Sequence, residues 1–190
     1  ILETESYKGN TIINQANGND VNIDITNLEF IPNSEIDLVL KLLANNNEDS
    51  VEILYSSSKY ETRNSHMSKE LTNVFKYPCV YSIIGDDTPN LMYSSVNNKG
   101  HFGIPKLILG NGVTPKCFID YGGEYGMTQF SYGIVDTIEN LEKIKKVLES
   151  DEFQEINLAT KFVATAGNPL AYPRIISLFK KDFWKEFIND

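Results

Sequence analysis

The stretch CVYSIIGDDTPNLMYSS, residues 79–95, contains two short β candidates on either side of a turn. Its two halves, residues 79–84 and 90–95, are rich in β-branched and aromatic side chains, and the turn signal Gly85-Asp86-Asp87 separates them. Three further short β candidates follow at similar spacing, at residues 106–109, 116–120 and 132–136. Short strands at regular spacing, divided by glycine-containing turns, predict a mostly antiparallel sheet.

Helical periodicity replaces this pattern after Asp136. Thr137 and Ser150 each precede a run with an apolar stripe, so we expect them to be the N-caps of two helices. We expect a last helix over residues 175–188, and an earlier one that Ser34 caps. Strands followed by helices, without βαβ alternation, predict an α+β fold in which a small, mostly antiparallel sheet carries C-terminal helices on one side.

The N-terminal part of the chain has a different composition. Residues 1–33 are rich in Asn, Asp, Gly and Thr, and the alternation in VNIDI, residues 21–25, predicts an extended arm or an edge strand. We expect residues 34–190 to form a single α+β domain. The chain begins without Met, a basic segment or an apolar segment, so we expect a piece of a longer chain and no signal peptide.

Charge is unevenly distributed along a chain whose net charge is −9. Residues 1–55 hold 2 basic and 10 acidic side chains, whereas residues 56–120 hold 7 basic and 5 acidic ones. Since Lys and Arg drive phosphate binding, the overall balance argues against nucleic acid and the middle third argues for it. We expect no membrane helix, because no uncharged apolar run approaches about 18 residues. The two cysteines, Cys79 and Cys117, are expected to be buried thiols in a reducing cytoplasm.

Several catalytic motifs are missing from the sequence. It contains no GxxxxGK[ST], no GxGxxG after a strand, no HExxH, no CxxC and no GxSxG. We therefore expect a non-catalytic chain with no cofactor and no metal of its own. Two alternatives stay open. One is a metal-dependent nuclease that uses Asp86, Asp87 and Asp120, and the other is an acidic protein-interaction module whose residues 1–55 dock on a basic partner.

Two stretches mix glycines, aromatics and hydrogen-bonding side chains: YSSVNNKGHFGIPK, residues 93–106, and DYGGEYGMTQ, residues 120–129. Asn, Gln, Lys and His read base edges, aromatic rings stack on bases, and the cations of the preceding loop suit phosphates. Plain structural roles compete with each of these, namely hairpin turns, a solvated surface and, for Phe102, Tyr125 and Phe130, the core. The candidate DNA contacts are Lys59, Arg63, His66, Lys69, Asn97, Asn98, Lys99, His101, Lys106, Tyr125, Thr128 and Gln129.

Four blocks carry a family resemblance: KYPCVYS (76–82), YSS (93–95), GHFGIPK (100–106) and GEYGMTQ (123–129). Together they resemble the C-terminal target-recognition domain of adenine-specific DNA methyltransferases, including fused restriction–modification enzymes in which one chain methylates and cleaves. The resemblance covers roughly residues 30–188. It implies a cytoplasmic, non-catalytic domain that reads bases in the major groove of double-stranded DNA.

The same resemblance implies a division of labour. A separate methyltransferase domain of the parent chain would bind S-adenosylmethionine and carry the catalytic motif. Because the present chain is acidic, much of the phosphate affinity would come from that partner domain.

Overall fold

All the strands of the described residues end by Ile134, and two of the three α-helices follow them. The computed structural model describes residues 10–26, 28–84, 88–110, 116–160 and 175–188. The helices in these ranges are α1 (Ile36–Leu42), α2 (Ile138–Leu148) and α3 (Asp151–Ala159), with a 3-10 helix at Phe183–Glu186. The strands are β1 (Thr11–Asn14), β2 (Asp20–Ile23), β3 (Ile53–Leu54), β4 (Met67–Ser68), β5 (Tyr77–Ile84), β6 (Thr88–Ser94), β7 (Lys106–Gly110), β8 (Cys117–Asp120), β9 (Gly126–Met127) and β10 (Ser131–Ile134).

These strands form three sheets within the described residues. β1 and β2 pair only with each other; β3-β10-β7-β8 form one four-stranded sheet, here the helix-side sheet, and β4-β6-β5-β9 form another, the loop-side sheet. Every pairing is antiparallel except that of β5 with β9. The predicted α+β class with C-terminal helices is confirmed, and the expected strands divide over two four-stranded sheets.

Strand β7 explains why two sheets are needed. Leu107 and Leu109 pack into the core that the helices cover, whereas Ile108 packs with Val80 and Met127 of the loop-side sheet. Successive side chains of a strand point to opposite faces, so a run of three buried aliphatic residues needs a layer on each face. The helix-side sheet is accordingly covered by helices on one face and by the loop-side sheet on the other.

The two C-terminal helices begin where the sequence predicts. The Thr137 hydroxyl accepts from the backbone N–H of Asn140 at 3.3 Å, and the Ser150 hydroxyl accepts from that of Phe153 at 3.2 Å. Both caps satisfy an N–H that has no partner within the helix. The apolar stripe of α2 is buried in the helix-side core and comprises Leu141, Ile144, Val147 and Leu148.

Two helix predictions were wrong. Ser34 caps no helix: Glu35 holds the N-cap position with φ 49° and no side-chain cap, and the Gln15 side chain accepts from Ile36 N–H at 3.2 Å. Residues 175–188 do not form one continuous helix: Ile175 and Ile176 are helical, Phe183–Glu186 form a 3-10 helix, and the chain between them is not helical. Phe179 and Lys180 instead bond to the chain that follows α1, with Val51 N donating to Phe179 O and Lys180 N donating to Leu42 O.

The predictions for the cysteines, a turn, the domain boundary and a membrane helix have different outcomes. Cys79 and Cys117 are buried, as expected. The turn at residues 85–87 lies outside the described residues, and the domain boundary at residue 34 stays a prediction. None of the helices in the described ranges has the length and apolar character needed to cross a membrane.

We predict that Gln15→Ala lowers the free energy of unfolding by about 1 kcal/mol, because it removes a partly buried hydrogen bond to the first N–H of α1. Ser34→Ala is the matched control and should change it by less than about 0.5 kcal/mol. Urea denaturation followed by far-UV circular dichroism measures both. A larger loss for Ser34→Ala than for Gln15→Ala would contradict this capping arrangement.

Candidate functional site

The two glycine-containing loops predicted from the sequence lie against each other. Gly103 N–H donates to Gly123 O at 2.8 Å, and Met127 N–H donates to Nδ1 of His101 at 3.1 Å. Gly123 has φ 66°, and a Cβ at this position would collide with Ile104 N and lie 2.7 Å from the Gly103 carbonyl carbon. Only glycine permits this backbone contact without strain. The loops therefore form one unit beside the loop-side sheet.

A buried ion pair holds this unit in place. Lys106 and Asp120 are directly opposite in the β7–β8 register, and their side chains approach to 2.6 Å at 0% and 1% exposure. The ammonium group also donates to His101 O at 3.0 Å and to Ile104 O at 3.1 Å, so each of its three hydrogens has an acceptor. Burial lowers the pKa of Lys106, and the bond to Asp120 opposes that shift.

Asp120 organises the loop that follows β8. Its carboxylate accepts the backbone N–H of Glu124 at 2.8 Å and that of Tyr125 at 3.1 Å, in addition to the Lys106 ammonium. Charge-assisted bonds of this kind are among the stronger ones in proteins. One carboxylate thus fixes the turn that brings Gly123 against Gly103.

The structure divides the twelve candidate contacts by exposure. His101, Lys106 and Thr128 have fully buried side chains, so in this conformation they hold the fold and cannot reach DNA. Tyr125 is half-buried, with its ring 5.4 Å from that of Phe118, in the core position that we expected. His66 and Gln129 are half-buried, and the exposed residues are Lys59, Arg63, Lys69, Asn97, Asn98 and Lys99.

The side chain of His101 is buried, and the positive charges of Lys59 and Lys106 act on its ring. Its ring lies 5.0 Å from that of Tyr60, its Nδ1 accepts from Met127, and its Nε2 has no hydrogen-bond partner in the described part of the chain. Burial, assisted by the charges of Lys59 and Lys106, lowers the pKa of His101 to about 4. The imidazole is therefore neutral near pH 7, with its proton on Nε2.

Residues 56–70, here the basic loop, are anchored on both sides. Lys99 N–H donates to the Tyr60 hydroxyl at 3.1 Å, and the His66 ring donates to Lys59 O at 3.0 Å. The amide of Gln129 bonds twice to Thr62, accepting from its N–H at 3.1 Å and donating to its hydroxyl at 3.0 Å. Gln129 therefore positions the basic loop, and its amide is not free to read a base.

Cations gather around the end of strand β6. Ser94 pairs with both Met67 and Tyr77, so the basic loop and the start of β5 flank the chain as it leaves β6. Lys59 Nζ lies 3.3 Å from where a Cβ of Gly100 would be, and the Arg63 side chain is 86% exposed beside Glu61.

We call Lys59, Arg63, Lys76 and Lys99 the cationic end. Lys76, which we did not select from the sequence, precedes β5 and lies over the ring of Tyr77.

The nuclease alternative requires acidic side chains that converge on a metal ion. Among the described residues, no group of three or more His, Cys, Asp and Glu side chains is placed to hold a metal ion. Asp120, one of the three acidic residues of the nuclease alternative, is committed to Lys106 and two backbone N–H groups. Asp86 and Asp87 lie outside the described residues.

Three aromatic side chains are exposed in the structure although the sequence does not predict it. Phe130, expected in the core, is 40% exposed, and Tyr81 and Tyr55 are 36% and 48% exposed. Their exposure depends on how β5, β3 and the segment between β9 and β10 meet in space. No local pattern in the sequence reports that arrangement.

We predict that Lys106→Met lowers the free energy of unfolding by about 3–5 kcal/mol, because it leaves the Asp120 charge buried without a counterion. Adding Asp120→Asn should recover part of the loss, since the amide oxygen still accepts a backbone N–H. Lys185→Met removes the exposed partner of Asp182 and should cost less than about 1 kcal/mol. Denaturant titration by circular dichroism compares the three; equal losses for Lys106→Met and Lys185→Met would contradict the role of the buried pair.

His101 should make stability depend on pH. The unfolded state gains a proton near pH 6.5 and the folded state only near pH 4, so stability falls as the pH drops through this window. We expect the wild-type chain to lose about 2 kcal/mol more than His101→Asn between pH 7 and pH 5. The asparagine oxygen can still accept from Met127 N–H, and the carboxylates contribute equally to both chains. Identical pH profiles would show that His101 titrates normally.

The site thus joins a rigid, buried support to an exposed cationic end, with Asn97 and Asn98 on the turn beside Lys99. It combines groups that suit phosphates with amides that suit base edges. The chain matches no family model, no curated protein and no solved structure.

Proposed function

We propose that this chain is a non-catalytic, sequence-specific DNA-recognition module, the target-recognition domain of an adenine-specific DNA methyltransferase or fused restriction–modification enzyme. The observation that supports this most strongly is the anchoring of the basic loop to the turn at Asn97, Asn98 and Lys99, through the bond from Lys99 N–H to the Tyr60 hydroxyl. Through this bond, the cations that would bind phosphates and the amides that would read bases share one fixed support.

Phosphate binding would fall to the cationic end. Lys59 and Lys99 are exposed and form no ion pair in the described part of the chain, whereas Arg63 is bonded to Glu61. An unpaired surface lysine releases counterions when it meets a phosphate. Two such lysines near one turn form a local positive surface despite the net charge of −9.

Base reading would fall to Asn97, Asn98 and Lys99. Asn pairs with the adenine edge through two bonds, and Lys donates to guanine, so these side chains suit the major groove. The backbone that carries them is fixed by Tyr60, and a fixed backbone reduces the entropy lost on binding. Lys106, His101, Thr128 and Gln129 serve as the support for these contacts.

The remaining parts of the proposal concern the parent protein. S-adenosylmethionine and the transfer chemistry belong to a methyltransferase domain that would be the partner of this chain on DNA, in the cytoplasm. That domain would supply further phosphate contacts, which the acidic residues 1–55 do not offer. Whether cleavage accompanies methylation is a property of that parent.

We predict that Lys59→Ala/Lys99→Ala weakens binding to a randomised 30-base-pair duplex pool about tenfold or more at 50 mM salt. The slope of log affinity against log salt should fall by about 1.8, since each phosphate contact contributes about 0.9. Lys146→Ala/Lys181→Ala removes the same charge from exposed sites on α2 and near the C-terminus and is the control. Fluorescence anisotropy measures both, and equal effects of the two double variants would contradict the proposed interface.

Base reading is tested by the same titrations. Sequencing the bound fraction of the pool should show a preferred sequence that Asn97→Ala/Asn98→Ala relaxes. Affinity for the unselected pool should change little, because amides contribute less than cations to non-specific binding. An unchanged preference would exclude the two asparagines as base readers.

A further inference from the structure

Three aromatic side chains, Tyr55, Tyr81 and Phe130, form an exposed surface that we call the aromatic patch. The rings of Tyr81 and Phe130 lie 5.1 Å apart with an interplanar angle of 67°, and the Tyr55 hydroxyl donates to Gln129 O at 3.4 Å. All three side chains keep a third or more of their surface exposed. Large rings normally bury their faces, so an exposed group of them marks an interaction surface.

The fold aims these rings outward from three separate elements. Tyr81 is the residue at which the β5–β6 register shifts, between Val80 paired with Leu91 and Ser82 paired with Asn90. Such a β-bulge re-aims a side chain and is common beside functional sites. The pairing of β5 with β9 ends one residue earlier, at Val80. Phe130 is the residue before β10. Tyr55 is the residue after β3, and β3 pairs with β10.

The neighbourhood of the patch indicates the chemistry of its occupant. Gln129, next to Phe130, is bonded to Thr62 of the basic loop, and Tyr55 leads into that loop four residues before Lys59. The aromatic patch therefore adjoins the basic loop. Flat rings beside cations suit a ligand that is itself flat and carries phosphates, which describes a nucleotide.

We propose that the aromatic patch stacks against an unpaired nucleobase while cations of the basic loop hold its neighbouring phosphates. An intact duplex presents only base edges in its grooves, so the face of a base is available only where pairing is broken. This inference rests on the proposed DNA-recognition function and adds a preference to it: DNA with an unpaired nucleotide is bound more tightly than intact duplex.

The test compares three 24-nucleotide probes: an intact duplex, the same duplex with one extrahelical 2-aminopurine, and a single strand with 2-aminopurine at the same position. We expect the extrahelical base to raise affinity at least about fivefold over the intact duplex, and its fluorescence to fall on stacking. Tyr81→Leu/Phe130→Leu should abolish both effects and leave affinity for intact duplex within twofold. Tyr121→Leu, an exposed tyrosine whose hydroxyl bonds to Glu142 of α2, is the control.

Each result decides the matter. Tyr81→Phe and Phe130→Tyr keep an aromatic ring and should preserve the higher affinity for the extrahelical probe. Loss of that preference in these variants would overturn stacking. An equal loss of affinity for all three probes in Tyr81→Leu/Phe130→Leu would overturn it as well. A wild-type chain that binds intact and extrahelical probes equally overturns this inference but leaves the proposed function standing. Absence of binding to every probe at 50 mM salt overturns both. Self-association that Tyr81→Leu/Phe130→Leu abolishes, seen by analytical ultracentrifugation, would assign the patch to a second copy and overturn the inference.

Discussion

The ion pair between Lys106 and Asp120 holds together the two loops on which the candidate site is built. Removing two charges from water carries a large desolvation penalty, which only good geometry and additional hydrogen bonds offset. Here the ammonium has three acceptors, and the carboxylate accepts two backbone N–H groups as well. Each of these bonds ends on a loop or a strand end, so the pair orders the backbone of residues 101–106 and 120–125. The site is built on the rim of that ordered region.

The layered architecture explains why an internal ion pair can have consequences at the surface. The helix-side sheet is covered on both faces, and Lys106 lies in the layer between the sheets, where Gly133 leaves room for its aliphatic chain. Loops that begin at this layer are positioned by buried strands, as binding loops on a rigid scaffold generally are. The exposed cations, Tyr55 and Phe130 therefore lie on loops with buried anchors, and Tyr81 lies on β5. The helices pack on the other face of the helix-side sheet.

Local features were predictable from the sequence, and non-local ones were not. The caps at Thr137 and Ser150 depend on a hydroxyl three residues from its partner, so the sequence was sufficient. The cap of α1 comes from Gln15, twenty-one residues away, and Ser34 was the wrong choice for that reason. The sequence predicts a DNA contact for Lys106, whereas the structure buries it against Asp120 of the neighbouring strand. Lysine is rarely buried unless it is paired, and no local pattern identifies this partner. Phe130 was assigned to the core, since hydrophobicity alone does not distinguish a packed ring from a presented one.

Hydrogen–deuterium exchange of the chain with and without DNA reports the buried support and the exposed face in one experiment. We expect the amides of Glu124, Tyr125 and Met127 to exchange slowly in the free chain and to change little when duplex DNA is added. Residues 56–70 and 97–100 should gain protection from DNA, while α2 and α3 should not. Rapid exchange at residues 124–127 in the free chain, or protection that appears on the helices instead, would contradict a rigid loop unit that presents one face to nucleic acid.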